Sequence, residues 1–218
     1  MVVTIDGPAG TGKSTVSQAA AAASQLFYLN SGRFYRAVGW KARQEGIDPD
    51  NSEAIMAVAR DISIEIIGDE FLVDQQSVGS ELHTPEIDRI VAPISSIPEV
   101  RSAINQRLRR FARERDVIVE GRDMSTVVFP DAEIKIYLDA DPEERARRRF
   151  NQGSGVLSLE EVLKSMEERD RIDRNKPTGS LRQADEATYI DTTDLTLAEV
   201  CEKVVSIILD RKNHGRSN

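Results

Sequence analysis

Gly7-Pro8-Ala9-Gly10-Thr11-Gly12-Lys13-Ser14-Thr15 is the stretch with the clearest chemical meaning, because it fits the spacing G-x-x-x-x-G-K-[ST]. Glycine at positions 7, 10 and 12 lets the backbone adopt dihedrals that a side chain forbids, so successive N–H groups can face one anion. Lys13 has the reach for the outer phosphates of a bound triphosphate, and the Ser14 hydroxyl suits Mg²⁺. The apolar run Val2 to Ile5 precedes the loop and the helix-forming segment Ser17 to Ala23 follows it. Strand, loop and helix therefore come in the order that a phosphate cradle requires.

Other charged residues sit where strands end. Val117-Ile118-Val119 reads as a buried strand that runs into Glu120-Gly121-Arg122-Asp123. Charges just past a buried strand are unfavourable unless paired or used. Arg122 has a donor fork that matches phosphate oxygens, and Asp123 could meet a base edge, a ribose or a metal's water shell. The segment Glu144 to Arg149 holds four arginines within six residues. Such a run is ordinarily a solvated helix face. The functional alternative is that part of it, with Arg147 and Arg148 as candidates, closes over a triphosphate and keeps water away from the transferred group.

The elements that must position these groups follow from apolar spacing. Leu26 to Leu29 reads as a second strand, with Asn30-Ser31-Gly32 as a turn, then a helix over Arg33 to Glu45 and another over Ser52 to Arg60 capped by Ser52. Ile62 to Gly79 alternates like a small antiparallel hairpin or meander inserted into a βα rhythm. A helix starts near Pro98 and reaches Arg113, and Ile134 to Leu138 is a further core strand. Asp141-Pro142-Glu143-Glu144 opens a helix that Gly153-Ser154-Gly155 breaks, and Ser158 to Glu161 is a capping box for a helix to about Arg174. Thr188-Tyr189-Ile190 is a fifth strand, Leu197 to Leu209 a final helix, and Arg211 to Asn218 a polar, frayed tail. Strands separated by helices imply an α/β fold with a mostly parallel sheet covered on both faces. Ligands bind beyond the carboxyl ends of such strands, where the glycine loop and Gly121-Arg122-Asp123 both lie.

The totals narrow the class. The chain has 218 residues, one cysteine and a formal net charge of −8, which disfavours a disulfide scaffold and broad binding to nucleic acid or an anionic membrane. No apolar run approaches the roughly eighteen residues of a membrane span, and no basic, apolar leader opens the sequence, so a cytoplasmic protein is expected. Zinc-hydrolase and serine-esterase motifs are missing from the sequence. His83, Trp40, Tyr189 and Cys201 read as packing or surface residues.

With these residues laid out, the chain resembles the bacterial cytidylate kinases. The resemblance rests on IDGPAGTGKST, LNSGRFYR from Leu29, PEVR from Pro98, EGRDMSTVVFPDA from Glu120, EERARRR from Glu143 and RDRIDRNK from Arg169. It implies a P-loop kinase fold: a five-stranded parallel sheet, a nucleoside monophosphate-binding insert with a small antiparallel sheet, and a helical lid. The implied division is a core of 1–30, 116–142 and 185–212, a monophosphate-binding region of 31–115, and a lid near 143–176. The implied reaction moves the γ-phosphoryl group of ATP, with Mg²⁺, to CMP or dCMP. Lys13, Arg122 and Asp123 would be catalytic, and Ser14 would face the metal. Ser31, Tyr35, Arg36, Arg101, Gly121, Arg122, Asp123, Arg169, Asp173 and Lys176 would bind CMP, with Arg101 and Asp123 at the base and Arg169 and Asp173 at the sugar. Partners beyond the two nucleotides, whether nucleic acid or membrane, are not expected, and a monomer is. The chain departs from the family pattern at Asn30 for aspartate, Ala92 for serine, Ser125 for glycine and Lys176 for arginine. The change at Ala92 leaves base selection either weaker or moved elsewhere, with Ser95 and Ser96 as candidates. A kinase for another small acceptor such as UMP, and a nucleotide-hydrolysing switch module, are the alternative readings.

Overall fold

The computed structural model describes residues 1–153 and 157–215, which divide into two compact units: Met1–Leu29 with Phe111–Asn218, and Asn30–Arg110. The first unit is built on a five-stranded parallel sheet. Its strands are β1 (Val2–Asp6), β2 (Phe27–Asn30), β3 (Val117–Gly121), β4 (Ile134–Asp139) and β5 (Thr188–Asp191), in the spatial order β2-β3-β1-β4-β5. β1 runs parallel to both β3 and β4, and β4 runs parallel to β5. Central strands buried on both faces cannot alternate apolar with polar, so in β1 Val3, Thr4, Ile5 and Asp6 are all fully buried.

Helices α1 (Lys13–Ser24) and α2 (Leu197–Gly215) cover this sheet. Ala20 and Ala21 of α1 and Val200, Val204 and Ile208 of α2 join Val3, Ile5, Ile118, Ile136 and Leu138 in one apolar cluster. Small alanine side chains suit α1 to close approach, and each buried branched residue contributes about 2 kcal/mol of transfer free energy. The last helix extends past the expected end at Leu209 through Gly215, so the tail from Arg211 to Gly215 is helical rather than frayed. Lys212 explains part of this, since its Nζ donates to the Ser24 carbonyl at the end of α1 at 2.6 Å; residues 216–218 lie outside the described residues. Two further helices, α3 (Pro142–Asn151) and α4 (Leu159–Asn175), carry the arginine run and the RDRIDRNK segment. Ser158 and Glu161 form the expected capping box at the start of α4. Gly153, at φ 86°, turns the chain after α3, while the expected break at Ser154-Gly155 lies outside the described residues.

The second unit holds α5 (Ser31–Gln44), α6 (Ser52–Asp61), an antiparallel sheet of β6 (Ile64–Ile67), β7 (Glu70–Val73) and β8 (Gln76–Ser77), α7 (Pro85–Ile94) and most of α8 (Pro98–Arg113). Two caps differ from expectation. α5 starts at Ser31 with no intervening turn, because the Asn30 side chain accepts from the Arg33 N–H at 3.3 Å. α6 is capped by Asn51 rather than Ser52, Asn51 Oδ1 accepting from the Ala54 N–H at 3.1 Å. Phe34 and Phe71 meet edge to face, centroids 5.4 Å apart, and seat the small sheet on α5.

Register aligns the functional edge. Asp6 stands opposite Gly121 on one side and Tyr137 on the other, so the glycine loop after β1 and the Arg122-Asp123 segment after β3 leave the sheet at one level. Gly7 passes so close to β4 that a Cβ would lie 2.0 Å from the Leu138 carbonyl oxygen, at φ +148°. Gly7→Ala is therefore expected to cost about 3 kcal/mol or more, against about 1–2 kcal/mol for Gly12→Ala, where φ is strained but space is open. Urea unfolding of the two variants, monitored side by side, checks the ordering.

Candidate active site

In the first unit the glycine loop wraps over the start of α1. Gly12 precedes the helix with φ 87°, so the loop ends on a helix N-terminus, where the backbone dipole favours an anion. Lys13 is buried and folds back over the loop, its ammonium donating to the Pro8 carbonyl and lying 3.3 Å from Thr11 Oγ1. Burial, then the nearby charge of Arg122, pushes its pKa down to about 7. Arg169 adds to the same repulsion, so three cations share one neighbourhood.

Carboxylates organise the surroundings. Asp6, fully buried at the end of β1, accepts from the backbone N–H groups of Met124 at 2.9 Å and Ser125 at 2.7 Å, and from Ser125 Oγ at 2.6 Å. Burial nevertheless raises its pKa, which those bonds only partly offset. It thereby holds the π-helical turn Met124–Val128 that follows Asp123. Ser125 uses its hydroxyl as well as its amide on that anchor. Glu120, at 3 % exposure, accepts from Ser14 Oγ at 3.0 Å and from the Tyr28 hydroxyl.

Asp173 on α4 accepts from Arg122 Nε at 3.0 Å and Lys176 Nζ at 2.7 Å. Burial raises its pKa, but the charges of Arg122 and Lys176 outweigh it and hold the carboxyl down at about 2. Arg169 contributes to the same depression, so the structure brings Lys13, Gly121, Arg122, Arg169, Asp173 and Lys176 together. Asp123 is buried at 2 % exposure, and its charge is felt by Asp6. Lys176, lacking an arginine fork, makes a point contact.

Arg147 and Arg148 point differently. Arg147 is exposed and pairs with Glu144 at 2.6 Å. Arg148 pairs with the same carboxylate at 3.1 Å and donates to Thr192 Oγ1 at 3.0 Å and to the Thr193 carbonyl at 3.2 Å. The buried arginine of that run is Arg145, bonded to Asp170. Its role was not visible in the run, where nothing separates one arginine from the next; the 3.6-residue period that turns Arg145 and Ala146 inward was the available signal.

Within the second unit, Tyr35 and Arg101 come together, the guanidinium 5.7 Å from the ring centroid. Arg101 is 4 % exposed and donates to the Ser95 carbonyl at 3.0 Å. Arg36 donates to the Leu82 carbonyl at 3.1 Å and pairs with Asp88. Ser31 is buried at the first turn of α5. Ala92 stands in α7, and the hydroxyls of Ser95 and Ser96 both donate to its carbonyl, at 2.9 and 3.0 Å.

The family model for cytidylate kinase matches residues 3–210. The cytidylate kinase of Rhodopirellula baltica is 39% identical over 211 residues, covering 95% of this chain and 92% of that protein. That of Caldanaerobacter subterraneus is 41% identical over 215 residues, covering 97% of this chain and 95% of its own. Among solved structures, a gluconokinase from Sinorhizobium meliloti superposes with a TM-score of 0.51 at 16% identity, covering 100% of this chain and 97% of its own. Shikimate kinase from Bacteroides thetaiotaomicron does so with 0.50 at 8% identity, covering 95% and 98%. These two show the shared fold of small P-loop kinases.

The depressed Asp173 carboxyl carries a stability signature with a definite sign. A group lowered on folding stabilises fully above its unfolded pKa and loses that contribution as pH falls through its folded value of about 2. Wild-type protein is thus expected to lose about 2 kcal/mol more than Asp173→Asn between about pH 5 and about pH 2. Denaturant melts of both proteins across that window measure the difference.

Proposed function

The chain belongs to the cytidylate kinase family, and from that premise we propose how its own residues transfer the γ-phosphoryl group of ATP to CMP or dCMP. The observation that carries the reading is the buried Lys13 of the glycine loop, whose charge is felt together with those of Arg122 and Arg169. A nucleotide-hydrolysing switch needs the loop and its lysine. It has no use for a further arginine and lysine fixed beside them by Asp173.

ATP binds with its phosphates in the loop of Gly7, Pro8, Ala9, Gly10, Thr11, Gly12, Lys13, Ser14 and Thr15. Lys13 neutralises charge on the outer phosphates, and Arg147 and Arg148 are assigned to the ATP side on leaving Glu144 and the Thr192-Thr193 carbonyls. The chemistry around Ser14 fits Mg²⁺: its hydroxyl and the Glu120 carboxylate are hard oxygen donors 3.0 Å apart. When bound with ATP, the ion supplies charge neutralisation on the phosphate oxygens and orients them.

The residues we assign to CMP are Ser31, Tyr35, Arg36, Arg101, Gly121, Arg122, Asp123, Arg169, Asp173 and Lys176. Arg36, Arg122 and Lys176 hold the acceptor phosphate, and Arg101 and Asp123 read the base. Cytosine offers acceptors at N3 and O2 and a donor at N4, which an arginine and a carboxylate complement. An oxygen of the CMP phosphate forms the new bond to the γ-phosphorus while the bond to the ADP leaving oxygen breaks. A phosphate monoester is already mostly dianionic at neutral pH, so alignment and charge stabilisation suffice without a general base. Lys13, Arg122 and Asp123 are the groups at the reacting centre.

The functional division we propose is a donor core of 1–30, 116–142 and 185–212, an acceptor region of 31–115 and a lid of 143–176. The net charge of −8 and the single cysteine support a cytoplasmic monomer that binds neither nucleic acid nor membrane. Among the described residues no helix is long and apolar enough to cross a membrane.

ADP formation against CMP, dCMP, UMP, AMP, GMP and shikimate tests the acceptor: stimulation by the cytidine nucleotides above the others is expected, and acceptor-independent turnover alone would overturn the reading. Lys13→Ala is expected to lower kcat about a hundredfold or more. A lysine held near pKa 7 must also gain a proton when a polyanion arrives. Calorimetry in buffers of different ionisation enthalpy should show proton uptake on ATP binding near pH 8, diminished in Lys13→Met.

A further inference from the structure

The buried pair Arg145–Asp170 takes no part in the assignments above, although it is among the most buried ion pairs of the first unit. Both side chains are 4% exposed, and Arg145 Nη1 lies 2.6 Å from Asp170 Oδ2. The same Nη1 donates to the Ala9 carbonyl at 3.0 Å, and Nε donates to the Ala140 carbonyl at 3.0 Å. On the other side, the Ala9 N–H donates to Asp170 Oδ1 at 3.4 Å. Ala9 is thus held through its N–H by the acid and through its C=O by the base. The next residue confirms the closeness: a Cβ on Gly10 would lie 2.7 Å from Met166 Cε and 3.0 Å from Arg145 Cβ.

We propose that Arg145 and Asp170 are positioning residues for the donor loop, fixing the peptide groups on either side of Ala9 so that the loop is set before the triphosphate arrives. The physical need is plain. Three glycines with positive φ leave the loop little stiffness of its own, and its internal ties converge on the Pro8 carbonyl, from the Thr11 hydroxyl at 3.3 Å and from the Lys13 ammonium that the triphosphate would draw away. A buried ion pair is seldom a net gain in stability over apolar packing. Stability alone therefore does not account for charges at this place, whereas a chelated loop residue gives them a use. The effect concerns the donor side: the acceptor-side cations Arg122 and Lys176 are held by Asp173 instead.

Three variants test this, read by direct ATP-binding titration as well as by KM, so that a wrong acceptor assignment would not be mistaken for failure here. Asp170→Asn and Arg145→Lys are expected to weaken ATP binding about tenfold while the KM for CMP stays within about twofold. The apolar pair Arg145→Met with Asp170→Leu should recover the melting temperature lost by Asp170→Asn and yet keep the weakened ATP affinity. Wild-type ATP affinity in the apolar pair, or equal rises in both substrates' KM in Arg145→Lys, would show that the pair merely packs α3 against α4. Arg145→Lys retains the charge partner of Asp170 but not the fork that also reaches Ala9 and Ala140, so it reports even if the apolar pair does not fold.

Discussion

A carboxylate taken out of water must find partners or give up its charge, and that constraint arranges the whole functional edge of the first unit. Asp6, Glu120, Asp170 and Asp173 are each buried to within a few per cent of complete. None can be satisfied by solvent, so each is committed to a neighbour. Asp6 takes the amides of the turn after Asp123, Glu120 the Ser14 hydroxyl, Asp170 the loop at Ala9, and Asp173 the side chains of Arg122 and Lys176. The loop, the Ser14 hydroxyl and the cations Arg122 and Lys176 are thus each held by a buried acid. Their fixed positions lower the reorganisation that charge transfer would otherwise require.

The cations obey the opposite logic. Lys13, Arg122 and Arg169 lie close enough to be felt together, and burial with their mutual repulsion drives Lys13 to a pKa of about 7. Glu120 and Asp6 pull the other way without cancelling the shift, so the charged lysine is favoured when a polyanion arrives and not when a neutral ligand does. The chain as a whole is acidic at −8, which disfavours indiscriminate binding of phosphate polymers elsewhere on the surface.

Much of this was legible in the sequence, because the signals were local. The parallel sheet followed from apolar runs ended by glycine or charge, and the loop from glycine spacing that its dihedrals bear out, with φ of +148°, +80° and +87° at Gly7, Gly10 and Gly12. The capping box at Ser158 worked for the same reason. What escaped were choices between neighbouring candidates and contacts over long separations. Asn51 and Ser52 are both good caps, and only geometry selects Asn51. The Asn30-Ser31-Gly32 triplet has turn composition, yet Asn30 caps a helix that begins at once. Arg145 looks like its neighbours, and its partners Ala9 and Asp170 lie 136 and 25 residues away. Asp6 is written into a strand as though it were a strand end, and nothing in its surroundings in sequence points to Met124 and Ser125.

The helix α4 shows how one element can fix two separate parts of the functional edge. Asp170 and Asp173 are three residues apart, which on a helix places them about 60° apart around the axis and about 4.5 Å apart along it. They share a face, both buried, yet one reaches the glycine loop with Arg145 and the other the cations Arg122 and Lys176. Because the helix backbone is regular over one turn, the two anchors keep a fixed spacing along it. Each grips a different partner, Asp170 the Ala9 N–H and Arg145, Asp173 the side chains of Arg122 and Lys176. One helix therefore sets the loop and the arginine through separate bonds, so that a substitution at Asp170 leaves the contacts of Asp173 in place.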